Sequence, residues 1–164
     1  MTCAARTVTR STDETLALAG AVGELLGPGD VVSLIGDLGA GKTVFARGVA
    51  RALGVTEPVV SPSFTIAREY AGSVPFVHID VYRIDTIQEL NDLGFEELVR
   101  DDAVTVVEWG DAIDALLPRE RLDVRLHPGA VDEERVVELD GHGPSWQRRA
   151  AELSALEPVT RSST

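Results

Sequence analysis

The segment Gly36-Asp37-Leu38-Gly39-Ala40-Gly41-Lys42-Thr43 leaves this chain the fewest choices. Before it runs Val31-Val32-Ser33-Leu34-Ile35, apolar on both faces as in a strand covered by helices on each side. After it, Phe45, Ala46, Val49, Ala50 and Leu53 recur at helical spacing up to Gly54, a C-cap residue. Buried strand, glycine-rich turn and helix together complete the GxxxxGK[ST] phosphate-binding motif in the setting it requires. Its glycines permit positive φ and remove Cβ atoms, so that backbone N–H groups can curl around phosphate oxygens at the helix N-terminus. Lys42 would reach the β and γ phosphates as a point charge, and Thr43 would place its hydroxyl on Mg²⁺.

The remaining pattern fits an α/β chain. Arg6 to Arg10 reads as a short strand, and Ser11 with Glu14 forms a capping box ahead of Leu16, Ala19, Val22, Leu25 and Leu26. The cluster Gly27-Pro28-Gly29-Asp30 ends that helix. Strands are expected at Phe64 to Tyr70, Pro75 to Tyr82 and Ala103 to Glu108, short helices at Thr86 to Gly94, Phe95 to Arg100 and Asp111 to Leu117. Leu122 to His127 and Arg135 to Asp140 read as a hairpin, followed by a helix through Trp146, Ala150 and Leu153. We expect a single P-loop NTPase-like α/β domain, its sheet mainly parallel, flanked by helices, with an antiparallel C-terminal edge. Residues 1–143 would form that domain, and residues 144–164 a C-terminal helix and flexible tail.

A nucleotide hydrolase also needs a carboxylate at the end of a neighbouring strand. Glu108 and Asp80 both end apolar runs, so both can emerge at the edge where open α/β sheets bind ligands. One would hold the metal's water shell and the other orient the attacking water; the residues alone do not divide the roles. Ser61, Ser63 and Thr65, in the loop broken by Pro58 and Pro62, make a switch-like segment or a rigid connection. Trp109 is a packing residue or a gate over the phosphates, His78 a hydrogen-bonded structural residue rather than a base, and Arg83 a partner for Asp85 or a charge-stabilising finger.

Composition removes several classes. The formal charge of -12 argues against a free-standing nucleic-acid binder. Most of that charge lies between Asp85 and Asp123. One cysteine, Cys3, excludes an internal disulfide and a zinc cluster, and fits a reducing cytosol. The opening residues have no apolar h-region and no stretch is long enough to span a bilayer, so a cytoplasmic protein is expected. Lys42 is the only lysine, which leaves none for the Asn-Lys-x-Asp element with which GTPases read guanine. A small-molecule kinase is the remaining rival; its lid would have to draw on Arg119 and Arg121.

With the P-loop, Ser61-Pro62-Ser63-Phe64-Thr65, His78-Ile79-Asp80-Val81-Tyr82-Arg83 and Val107-Glu108-Trp109 follow in an order and spacing that resemble the bacterial TsaE family. The resemblance covers about residues 5 to 140. It implies an ATPase of tRNA threonylcarbamoyladenosine biosynthesis that uses ATP and Mg²⁺ and works with TsaD and TsaB subunits. Those partners, rather than this chain, would reach the tRNA; no DNA or membrane is involved. The family pattern makes Asp37, Leu38, Gly39, Ala40, Gly41, Lys42, Thr43, Val44 and Trp109 nucleotide-binding, and Thr43 and Glu108 metal-holding. Lys42, Asp80 and Glu108 would be catalytic.

Overall fold

The computed structural model describes residues 2–60, 67–82, 87–92 and 94–156. Strand β1 (Thr2–Thr9) leads to Ser11, whose hydroxyl accepts the Glu14 N–H at 3.1 Å and caps helix α1 (Thr12–Leu25). Strand β2 (Val31–Ile35) feeds the glycine-rich loop and α2 (Lys42–Ala52). A hairpin, β3 (Ala67–Tyr70) and β4 (Phe76–Asp80), precedes the short helices α3 (Ile87–Asp92) and α4 (Phe95–Leu98). Then come β5 (Val104–Glu108), a 3₁₀ segment (Gly110–Leu116), β6 (Arg121–Pro128) and β7 (Arg135–His142). Helices α5 (Pro144–Arg148) and α6 (Ala150–Ser154) follow.

The sheet order is β1-β7-β6-β2-β5-β4-β3, with β6, β2, β5 and β4 joined by parallel pairings. Antiparallel pairing is expected at the C-terminal edge and is found there, where β6 pairs with β7; it also occurs at the far edge, between β3 and β4. The short Ala71–Pro75 link cannot hold a crossover, so β3 and β4 must run in opposite directions. The outermost strand beyond β7 is the N-terminal β1.

Apolar residues cover both faces of the sheet. On one, Leu18, Val22, Phe45 and Val49 of α1 and α2 pack against Val32, Leu34, Val104 and Val106. On the other, Val77, Ile79 and Val107 meet Leu90, Phe95 and Ile113. Trp146 and Leu153 are buried in the first of these layers, so α5 and α6 share the core of the P-loop helix. The face that α1 buries is turned slightly from the expected one: Thr15 and Leu18 point inward, while Leu16 and Leu25 are half-buried. A 2.7 Å hydrogen bond between Thr15 and Thr9 accounts for the turn, because it satisfies both hydroxyls inside the core.

Helix α2, which carries the P-loop lysine, is located by close packing on α1. A Cβ on Gly48 would lie 2.5 Å from Ala19 Cβ and 2.6 Å from the Leu16 carbonyl oxygen, and one on Gly23 only 2.7 Å from Ala52 Cβ. Gly48→Ala should therefore lower stability by about 1–3 kcal/mol in urea unfolding. The methyl forces the helices apart, and this outweighs the roughly 1 kcal/mol that alanine gains in a helix interior. A more stable variant would show that the crossing can relax.

Candidate functional site

Glu108 ends β5 and Asp80 ends β4, and their Cα atoms are register partners in a parallel pair. Both carboxylates therefore leave the same edge of the sheet on the same face, the face that carries α2. Leu34, one residue from the end of β2, pairs with Glu108 from the other side. The glycine-rich loop then returns the chain across that edge, so the first turn of α2 begins over Glu108. Thr43 Oγ1 donates to Glu108 Oε1 at 3.0 Å and lies 3.1 Å from Oε2. Glu108 is 3% exposed, and its Oε2 is also 2.6 Å from Nε2 of the fully buried His78.

The N-terminus of α2 has no side-chain cap; Gly41 takes that position with φ 105°. Among the described residues nothing accepts from the N–H groups of Gly39, Gly41, Lys42, Thr43 and Val44. These five donors, at the positive end of a helix dipole, form an oxyanion-binding nest. Gly36 is required for a different reason: a Cβ there would sit 2.8 Å from the Leu126 carbonyl oxygen. Ala40 shapes the loop instead of donating outward, since its N–H bonds Asp37 O at 3.0 Å and its side chain is buried. Leu38 is 76% exposed.

Lys42 Nζ donates to Gly36 O at 2.6 Å and Asp37 O at 2.8 Å and rests 3.9 Å from the centre of the Trp109 ring. Burial pulls its pKa below the usual lysine value, against the opposing pull of Glu108, Asp80, Asp111 and Asp37. Trp109 is the only non-glycine residue with positive φ among the described residues, at φ 63°. Its N–H donates to Leu34 O at 3.0 Å, and the left-handed turn brings its ring under Lys42 and 5.1 Å from that of Tyr82.

On the β6 side of the loop lies a cleft of about 310 Å³ between Asp37–Ala40 and the β6–β7 turn, rimmed by exposed Leu38 and Val131. Arg135 spans it. Its guanidinium donates to Ala40 O at 2.8 Å and Gly39 O at 3.3 Å, as well as to Asp132 O and Glu134 O.

The structure thus assembles Lys42, Thr43, Glu108, Asp80 and Trp109 at one edge. The switch-like Ser61, Ser63 and Thr65, and Arg83, lie outside the described residues. Arg121, considered above for a kinase lid, is held instead by Asp123, Asp114 and the Pro118 carbonyl. The sequence reading places Arg135 merely at the start of a strand, and nothing in its spacing marks it. His78 carries a usable signal: it stands two residues before Asp80, and so on the same face of β4.

Thr43 and Glu108 offer hard oxygen donors within hydrogen-bonding distance of each other beside an anion-binding nest, a donor set that fits Mg²⁺ bound through phosphates and water. Among the described residues no group of three or more His, Cys, Asp or Glu side chains could hold a metal by itself.

A family model described as threonylcarbamoyl adenosine biosynthesis protein TsaE matches residues 9–137, which include every residue of this edge. The chain belongs to the TsaE family. The tRNA threonylcarbamoyladenosine biosynthesis protein TsaE of Bacillus subtilis is 42% identical over 149 residues, covering 90% of this chain and 92% of that protein. The protein of the same name from Mycobacterium tuberculosis is 42% identical over 144 residues, 82% of this chain and 81% of its own. A crystal structure of Bacillus subtilis YdiB has a TM-score of 0.80 at 38% identity, covering 94% of this chain and 96% of that one. TsaE membership thus joins a P-loop edge to the tRNA threonylcarbamoyladenosine pathway. No helix among the described residues is long and apolar enough to cross a membrane.

The lowered pKa of Lys42 gives a signed prediction. Between its folded value and the ordinary lysine value of 10.5 the unfolded chain binds more protons, so this group makes stability rise with pH through that window. Compared with Lys42→Met in thermal or urea unfolding, the wild type should gain relative stability as pH rises into the alkaline range. A pH-independent difference would mean that burial does not govern this lysine.

Proposed function

We propose that this chain is the ATP-binding and ATP-hydrolysing subunit of the bacterial tRNA threonylcarbamoyladenosine machinery, acting in the cytoplasm beside TsaD and TsaB. The observation that carries the reading is the Thr43–Glu108 hydrogen bond, which joins the P-loop helix to a strand-end carboxylate at 3.0 Å. The family supplies the pathway; the edge of the sheet supplies the chemistry.

The nest at Gly39 to Val44 and the Lys42 ammonium would bind the phosphates of ATP, with Lys42 exchanging the Gly36 and Asp37 carbonyls for phosphate oxygens. Strand order supports one direction for the nucleotide. With Glu108 on the β5 side, the terminal phosphate would lie there and the nucleoside toward the cleft on the β6 side. Thr43 and Glu108 would hold Mg²⁺, which when bound neutralises charge that develops on the phosphoryl oxygens. Asp80, in register with Glu108, would orient the attacking water and accept its proton. Trp109 covers one side of the lysine, and Tyr82 packs against the Trp109 ring.

An acidic subunit is ill-suited to grip tRNA but can dock on basic partners that do. The threonylcarbamoyl group would pass from its adenylate to the adenosine 3′ of the anticodon on those partners, and hydrolysis here would reset the complex between turnovers. The kinase alternative lacks a free arginine lid at Arg121.

Two measurements test the proposal. In a reconstituted tRNA modification assay Lys42→Ala should abolish multiple-turnover modification; undiminished modification would refute the role. Asp80→Ala should keep nucleotide affinity while ATP turnover, measured with TsaD and TsaB present, falls roughly 100-fold or more, the usual range for a lost general base. Loss of binding would instead make Asp80 a metal-holding residue.

A further inference from the structure

We propose that His78 is a positioning residue that aims the Glu108 carboxylate at the metal-holding edge. The inference rests on the reading of Thr43 and Glu108 as the Mg²⁺-holding pair and assigns the residue that orients one of them.

His78 is completely buried on β4, in register with Val106 and therefore two residues behind the Asp80–Glu108 pair on the same face. Its Nε2 lies 2.6 Å from Glu108 Oε2. A carboxylate oxygen accepts, so Nε2 carries the hydrogen. The other ring nitrogen, Nδ1, has no partner among the described residues. The Phe76 ring centre lies 6.2 Å from that of the imidazole. Packing alone does not account for a histidine here: an apolar ring would fill the space and leave no buried nitrogen unsatisfied. Among the described residues, what histidine adds is the bond to Glu108.

That bond has a geometric effect. A glutamate at a strand end has three side-chain torsions and, left alone, would swing into water. Tied back through Oε2, Glu108 stays 3% exposed and turns Oε1 to the Thr43 hydroxyl at the start of α2. Partners of this kind hold metal-ligating side chains in orientation, and their loss typically weakens metal affinity about 10–100-fold.

The near-isosteric variants His78→Met and His78→Gln separate bonding from packing, since only glutamine can donate an N–H toward Glu108. The full-length protein would be titrated with ADP by calorimetry, in EDTA and across a range of Mg²⁺ concentrations, with thermal melting confirming that each variant is folded. Wild type should bind more tightly with Mg²⁺. His78→Met should keep the affinity seen in EDTA but need about 10-fold or more Mg²⁺ for half of the effect, and His78→Gln should recover much of the loss. Equal behaviour of the two variants, or an unaltered Mg²⁺ requirement in His78→Met, would overturn the assignment. Should methionine prevent folding, His78→Phe takes its place against His78→Gln with the same two readings. A wild type indifferent to Mg²⁺ would instead refute the Thr43–Glu108 metal reading, and this inference with it.

Discussion

The hydroxyl of Thr43 reaches Glu108 at 3.0 Å only because two independent parts of the fold converge on it. Glycines on both helices let α2 lie close against α1, which sets where its first turn begins. Parallel pairing of β2 with β5 sets where Glu108 ends its strand. Trp109 then leaves the sheet in a left-handed conformation that costs a non-glycine residue about 1–3 kcal/mol. The return is positional: the strand stops at Glu108, and the indole ring comes to lie under Lys42.

This arrangement also explains how a chain of formal charge -12 can be suited to a polyphosphate. The favourable terms are local and directional. N–H groups at the start of α2 that have no partner among the described residues lie beside one buried ammonium, while Glu108 and Asp80 sit to one side, where a divalent cation would offset them. Arg135 adds a fixed guanidinium whose partners are carbonyl oxygens of the loop and of the β6–β7 turn, so it braces Gly39 and Ala40 without neutralising a carboxylate among the described residues.

Much of this edge was legible in the sequence. The P-loop, the Ser11 cap and the strand-end positions of Asp80 and Glu108 follow from local rules of spacing, capping and alternation, which act over a few residues. Alternation even implies that His78 and Asp80 share a face. It does not say which strand lies beside them, and the His78–Glu108 bond depends on that long-range register. Arg135 was hidden for the same reason: it is 95 residues from the Ala40 carbonyl it holds, at a strand start with no periodic mark. The antiparallel pairing of β3 with β4 was implicit in the shortness of their connection. The burial of Trp146 and Leu153 in the α1–α2 layer had no such signal, because an amphipathic segment at a chain end looks the same whether it is docked or free.

The central claim is that Thr43 and Glu108 act as one unit in holding the metal. A double-mutant cycle on ADP affinity at saturating Mg²⁺, using Thr43→Val, Glu108→Gln and the double variant, tests it most directly. If the two share one ion, the double variant should bind no more weakly than the weaker single variant, giving a clear coupling energy. Losses that simply add would mean that the residues act independently, and would contradict the account.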